Sequence, residues 1–446
     1  MKNSYLLILI ISLCCVHPSW GKSDDKTQLL LSNAHIVDPA SHEIRLGHLL
    51  IEGQFILGTL NKMPANFEGE IIDLQGKWVM PGLNELHTHS GGNRGLDGAS
   101  ESVGARVIAE RLLSVGVTSL LDLFSDEKTI FDHRQKQRQD QRDGKTSGAD
   151  IFASLSCLTA PKGHCTEYGI LTRTMNSSAE ASAVVKDLAL RKPDVIKINY
   201  NQFGRLPNID KATLTAAIRQ AKSSGIKTVV HINSIEDMRD AIEAGASAVT
   251  HLPREKLIPV ELAQLMARNQ VAAIPTLATR TDWIDFVVEP DVLSTPMALR
   301  LTTKEILDSY AERRKTISED RKQSMLHKND MYYRSTKILA DAGVMMLTGS
   351  DGGNSGTIQG YSVHRELIKM VRSGMSTWQA LSASTTNAGI FLNRKFGVAA
   401  GDEANVVILS ASPIEDIINT QKIEYVIHHG EVVLAPQTSD TNMLMF

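Results

Sequence analysis

Cysteine is scarce: the chain has four in 446 residues, and two of them, Cys14 and Cys15, fall in an apolar leader. A disulfide-dense scaffold is therefore excluded, and Cys157 and Cys165 either form one loop-closing bridge or remain two free thiols. Aromatic residues make up only 5% of the chain, the formal net charge is only −3, and no Lys/Arg run is interleaved with aromatics. That leaves no electrostatic footprint for a nucleic-acid partner. The one strongly charged stretch, Lys304 to Lys328, mixes both signs and reads as a solvated helix face. No Gly-x-Gly-x-x-Gly turn follows an early strand, which disfavours an open dinucleotide-binding sheet. Beyond the leader, no apolar run approaches the roughly 20 residues needed to span a bilayer.

The leader carries Lys2, an apolar stretch from Tyr5 to Val16, and Ser19-Trp20-Gly21. This is the pattern of a secretory signal peptide over residues 1–21, with small residues placed for cleavage. Leu13 before Cys14, in place of a small residue, makes a lipoprotein the poorer reading. The expectation is a mature chain without a membrane span, secreted or periplasmic.

What is abundant is regular alternation. At 42% hydrophobic residues the chain can bury one large core and a smaller one. Short alternating runs at Leu29–Val37, Leu49–Glu52 and Phe55–Leu57 are matched near the other end by Ala404–Leu409, Tyr425–His428 and Glu431–Leu434. Residues 22–77 and 395–446 are thus expected to form one small β-sandwich between them. Across 78–394 apolar strands alternate with amphipathic helices, beginning at Val79–His89 and including Ile151–Ser156 and Val195–Tyr200. The series runs on to Met345–Gly349, eight strand–helix units in all. Such alternation calls for parallel strands with right-handed crossovers, and eight units fit an α/β fold closed as a (β/α)8 TIM barrel. The stretch from Thr279 to Ser335 exceeds a usual connection and is expected to add helices over the barrel mouth.

Ligand-type side chains fall at the ends of these strands. His87-x-His89 places two imidazoles on one face of the first; Lys197, His231, His251 and Asp351 end the fourth, fifth, sixth and eighth. Taken singly, each histidine is more often structural. Only a closed barrel brings all five strand ends to one point. There His87, His89 and Asp351 would hold one divalent ion and His231 with His251 a second, zinc being the default for such donors. Cationic Lys197 cannot ligate; it either pairs with Asp351, reaches solvent, or reacts with CO2 to give a carbamate that bridges two ions. Two ions so placed would hold a hydroxide as nucleophile, with Asp351 as general base and then acid.

Pro81-Gly82-Leu83 followed by His87-x-His89, strand-end Lys197, His231 and His251, and Thr348-Gly349-Ser350-Asp351-Gly352 together resemble the amidohydrolase superfamily. The nearest likeness is to its imidazolonepropionase-like and prolidase-like (Xaa-Pro dipeptidase-like) members. Ala241–Ala246, His364-Arg365-Glu366-Leu367 and Gly374-Met375-Ser376 agree with it. The resemblance implies the barrel, the small flanking sandwich and a carboxylated Lys197. Glu85 stands where the family commonly has Asp and reads as structural or as a support to the site. Ser234, three after His231, replaces a Glu of the deaminase-like members and argues against ring deamination. His164, in a Gly-His loop similar to one in prolidase-like relatives, is the best candidate for a substrate contact. Tyr200, Asn201 and Arg280 are further candidates, with Arg254 competing for the role of carboxylate binder.

The function expected is a binuclear hydrolase of an amide or peptide bond in a small molecule or dipeptide. A lactone, ester or phosphotriester hydrolase with the same ions is the alternative among enzymes, and an inactive binding protein on the same barrel is the alternative outside them. A homo-oligomer is compatible with the sequence.

Overall fold

The computed structural model describes residues 28–202 and 204–435. The leader lies outside the described residues. Strands β1 (Gln28–Asp38), β2 (Glu43–Glu52), β3 (Phe55–Leu60), β4 (Glu70–Asp73) and β5 (Trp78–Pro81) come first. The middle of the chain supplies β6 (Leu83–Thr88), β7 (Val117–Asp122), β8 (Asp150–Ala153), β9 (Cys157–Thr159), β10 (Arg173–Thr174), β11 (Val195–Asn199), β12 (Lys227–His231), β13 (Ala248–Thr250) and β14 (Ala272–Ile274). Three more, β15 (Val406–Leu409), β16 (Ile423–His428) and β17 (Glu431–Leu434), return at the end.

Both ends of the chain meet in one mixed sheet ordered β17-β16-β15-β5-β1-β2-β3, with β4 added on β1. Leu31, Ile36, Leu49, Ile56, Val79, Val406 and Ile408 fill its core. The single run expected from Val79 to His89 is two strands. Trp78–Pro81 pairs with β1 and β15, whereas Leu83–Thr88 pairs with β7. Gly82 sits between them, and a Cβ there would stand 2.4 Å from the Thr118 side chain, so only glycine allows the chain to switch sheets.

The middle strands form two all-parallel sheets, β6-β7-β8 and β10-β9-β11-β12-β13-β14. Asp194 N–H donates to the Ala153 carbonyl at 2.9 Å, just before β11. The stretch 345–351 is not a ladder strand, but it touches both sheets. Leu347 N–H donates to the Ala273 carbonyl at 2.8 Å, Leu86 N–H to the Thr348 carbonyl at 2.8 Å and Asp351 N–H to the His87 carbonyl at 2.8 Å. Leu86, Leu121, Phe152, Val195, Val229, Ala248, Ala272 and Leu347, one from each strand or stretch around this circuit, share a buried cluster. The third expected strand, Ile151–Ser156, breaks after Ala153: Leu155 takes a left-handed φ of 67°, and Cys157–Thr159 restarts beside β11.

Helices connect successive parallel strands, and their apolar faces pack on the outside of the sheets. Past β14 come Leu277–Val288, Pro296–Leu301, Lys304–Thr316 and the 23-residue Glu319–Asp341, the helical insertion expected from chain length. Two buried pairs, Arg365 with Asp282 at 2.7 Å and Lys369 with Asp285 at 2.6 Å, tie that insertion to the helix Tyr361–Arg372. No described helix is long and apolar enough to cross a membrane.

Candidate metal-dependent active site

The C-terminal ends of β6, β11, β12 and β13 and the stretch 345–351 bring His87, His89, Lys197, His231, His251 and Asp351 to one cavity. Asp351 Oδ1 lies 3.2 Å from His87 Nε2 and 3.0 Å from His89 Nε2. Ligand atoms of His87, His251 and Asp351 all fall within 4.8 Å of one another. The His231 and His251 rings are 4.4 Å apart, centre to centre, and His87 and His251 5.0 Å.

Neighbouring groups fix the rings. His87 Nδ1 meets Thr250 Oγ1 at 2.6 Å, His251 Nδ1 meets Thr276 Oγ1 at 2.7 Å, and His89 Nδ1 donates to the Phe124 carbonyl at 2.9 Å. Asn233 Nδ2 donates to His231 Nε2 at 2.8 Å, and Arg280 Nη2 donates to Asn233 Oδ1 at 3.1 Å. Burial, reinforced by the Lys197 charge, holds His87 and His231 well below the usual imidazole range; burial and His231 do the same to His251. Neutral imidazoles have the free lone pair that a metal requires. His89 differs: burial pulls it down, but Asp351 overrides that and raises it.

Lys197 is buried, its Nζ hydrogen-bonds no protein group, and burial lowers its amine to about 7 against the opposing pull of Asp351. Among the readings open for this lysine, a solvent-reaching tip is thus removed. A buried amine brought down to about 7 and left with no partner fits a group that is to be converted or coordinated, and the donor set of imidazole and carboxylate fits divalent metal.

Backbone strain marks the same place. His251, Thr276 and Asp351 hold left-handed φ angles of 73°, 51° and 61°. Each costs of order 1–3 kcal/mol in a non-glycine residue and clusters where geometry serves a site. Glu85 stitches β6 to the eighth stretch: its carboxylate accepts from His87 N–H and Ser350 N–H at 2.9 Å each, and from Ser350 Oγ at 2.5 Å. It supports His87 and the backbone before Asp351 without facing the cavity.

Two cavities flank the donors and share His164, Asn199 and His231. The first, about 300 Å³, is walled by Val103, Phe124, Ile130, Tyr168 and Ile170. The second, about 560 Å³, is walled by Asn201, Arg205, Asn233 and Arg254. His164 stands between them, its ring 5.3 Å from that of His231 and its Nδ1 2.5 Å from Glu167 Oε1. The neighbouring Cys165 is disulfide-bonded to Cys157.

Of the candidate substrate contacts, His164 and Asn201 line these cavities and Tyr200 does not. Tyr200 is buried and donates to Asp240 Oδ2 at 2.7 Å, away from the donors. The strand ends at Asn199, so the next side chain turns into the helix layer. Arg280 stands behind Asn233, its guanidinium lowered by burial and by Arg254 to about 10, while Arg254 itself faces the second cavity. Arg205 and the apolar wall went unseen in the sequence, because they sit on loops with no periodicity to place them. Thr250, which orients His87 across the sheet, carries no signal of its own in the sequence.

The profile of the amidohydrolase family matches residues 78–433, and the chain belongs to that family. It is accordingly a hydrolase of carbon–nitrogen bonds, in a family that works with divalent metal. An uncharacterized protein of Mycobacterium tuberculosis is 25% identical over 347 residues, spanning 76% of this chain and 80% of its own length. The imidazolonepropionase of Acinetobacter baumannii is 29% identical over 128 residues, 26% of this chain and 32% of that enzyme. Among solved structures, a Xaa-Pro dipeptidase with methionine in its active site superposes with a TM-score of 0.73 at 20% identity, covering 92% of this chain and 100% of that one. That last likeness is one of fold.

Proposed function

We propose that the protein is an exported binuclear amidohydrolase that cleaves the amide of a dipeptide or N-acylated amino acid on a closed (β/α)8 barrel. The convergence of six side chains from four strand ends and the stretch 345–351 carries this reading. Closure is supported by the stretch 345–351, which hydrogen-bonds to β14 on one side and β6 on the other. Export is supported by the leader pattern and by the Cys157–Cys165 disulfide, which suits an oxidising compartment.

His87, His89 and Asp351 would hold one ion, His231 and His251 a second, and Lys197, as its carbamate, would bridge them. The neutral form of the amine would add CO2 at nitrogen and release one N–H proton, leaving a carbamate carboxylate in place of an amine. Zinc suits these ligands. Bound here, the ions supply water activation and carbonyl polarisation. Asp351 takes the proton of the attacking water and delivers it to the departing amine. Arg205 and Arg254 face the leaving amino acid's carboxylate, and Phe124, Ile130 and Ile170 enclose an apolar acyl side. His164, between the cavities, would face the scissile amide.

The test is metal analysis joined to a panel of dipeptides and N-acyl amino acids run against esters, lactones and phosphotriesters. Two ions among the donors from His87 to Asp351, and turnover confined to amides with a free carboxylate, are expected. One ion, or preference for the ester, lactone or phosphotriester set, would overturn the reading.

A further inference from the structure

At the opposite end of the parallel strands, where β8 begins, a second group of ligand-type side chains is buried. Asp150 opens β8, His428 closes β16, and His429 starts the turn into β17. Their ligand atoms lie within 4.8 Å of one another. Asp150 Oδ1 is 2.9 Å from His429 Nε2 and 3.3 Å from His428 Nε2, and the two rings are 4.1 Å apart, centre to centre.

Hydrogen bonding within the protein leaves this cluster incomplete. His428 is 0% exposed, yet neither of its ring nitrogens makes a hydrogen bond to a protein group, and Asp150 Oδ2 likewise has none. His428 Nε2 is close to Asp150 Oδ1 without being aligned on it, the arrangement of two donors that both face a third point. A fully buried imidazole left this way calls for a partner. The nearest cation does not serve: Arg394 Nη2 stands 3.8 Å from Asp150 Oδ2, while its guanidinium is committed to both oxygens of Glu403 at 2.5 and 2.6 Å. Gln141 closes the group on the remaining side. Its amide Nε2 is 2.5 Å from Asp150 Oδ1 and 3.4 Å from His429 Nε2, and the opposite amide rotamer presents an oxygen to the same point.

We propose that Asp150, His428 and His429 form a second, structural divalent-metal site, of the zinc class, with the Gln141 amide oxygen or a water as fourth ligand. Two imidazole nitrogens and a carboxylate oxygen make the donor set zinc favours, and four ligands make a closed structural site. The ion staples the β16–β17 turn of the mixed sheet to the root of β8. This site shares no residue with the active site, so it stands or falls independently of the reaction.

Zinc-edge anomalous diffraction from crystals of the full chain grown with Zn2+ should place a peak roughly 2.0–2.2 Å from donors on all three residues. The Asp150→Asn/His429→Gln double variant should bind one zinc per chain fewer than wild type while keeping its hydrolytic rate. An anomalous map from zinc-saturated wild-type crystals with no peak between Asp150 and His428 would overturn the proposal, whether or not the variant folds. So would a variant that keeps the full zinc count.

Discussion

At the scale of the residue, Lys197 is the sharpest departure from ordinary packing, an amine side chain buried with no hydrogen-bond partner. The proposed carbamate would remove the contradiction, because the side chain would then carry a negative charge its neighbours can use. Lys197→Ala should abolish hydrolysis, with partial rescue by small carboxylic acids that can occupy the vacated arm. Full activity in assays without rescue agents would remove the carbamate. Asp351 is the proposed proton carrier, and Asp351→Asn should keep most of the metal while the rate falls roughly 10²–10⁴-fold, the range general acid–base groups contribute. A rate unchanged in the presence of bound metal would assign the proton to another carrier. The six donors were legible as types at strand ends. Tyr200 and Arg280 were not, because the sequence fixes that a residue follows a strand but not which way a loop turns it.

Elements are where the ligands acquire their aim. Thr250 and Thr276 close β13 and follow β14, and each hydroxyl orients the imidazole of a neighbouring strand end. Partners of this kind are worth about 10–100-fold in metal affinity, so Thr250→Val should weaken metal binding by that factor in a competitive chelator titration, with the fold intact by circular dichroism. The helix Tyr361–Arg372 makes a pH prediction. His364 is buried, bonded to the Val115 carbonyl and Thr420 Oγ1 at 3.0 Å each, and burial lowers it to about 4. Its unfolded value is higher, so the stability it contributes is complete above about 6.5 and is lost as pH falls towards 4, on the order of 3 kcal/mol. Urea unfolding of His364→Gln should show a flatter acid limb than wild type over that window; an identical slope would mean another group titrates. Most helices were legible because their apolar faces repeat at the helical period, as in Lys211–Ser223 and Ile235–Ala244. The breaks at Gly82 and Leu155 were hidden, since each depends on what the chain meets across the sheet.

For the whole molecule, the decisive fact is that the donors are drawn from elements scattered between His87 and Asp351, so the site exists only in the assembled fold. Alternation of strand and helix announced parallel pairing, and donors at successive strand ends announced where they would meet. Both chain ends supply strands to a single mixed sheet, where their strand patterns had suggested a small sandwich. A site assembled this way couples metal binding to folding, because the unfolded chain cannot present the same cage. Free metal at 100 times its dissociation constant adds about 2.7 kcal/mol to stability for one site. Stripping the protein with a chelator should therefore lower its unfolding midpoint in urea and abolish hydrolysis together. Titrating zinc back should restore both, the activity following occupancy of the site around Asp351. If the midpoint is indifferent to metal while activity depends on it, the cage is rigid without its ions, and the strain at His251, Thr276 and Asp351 is held by the protein alone.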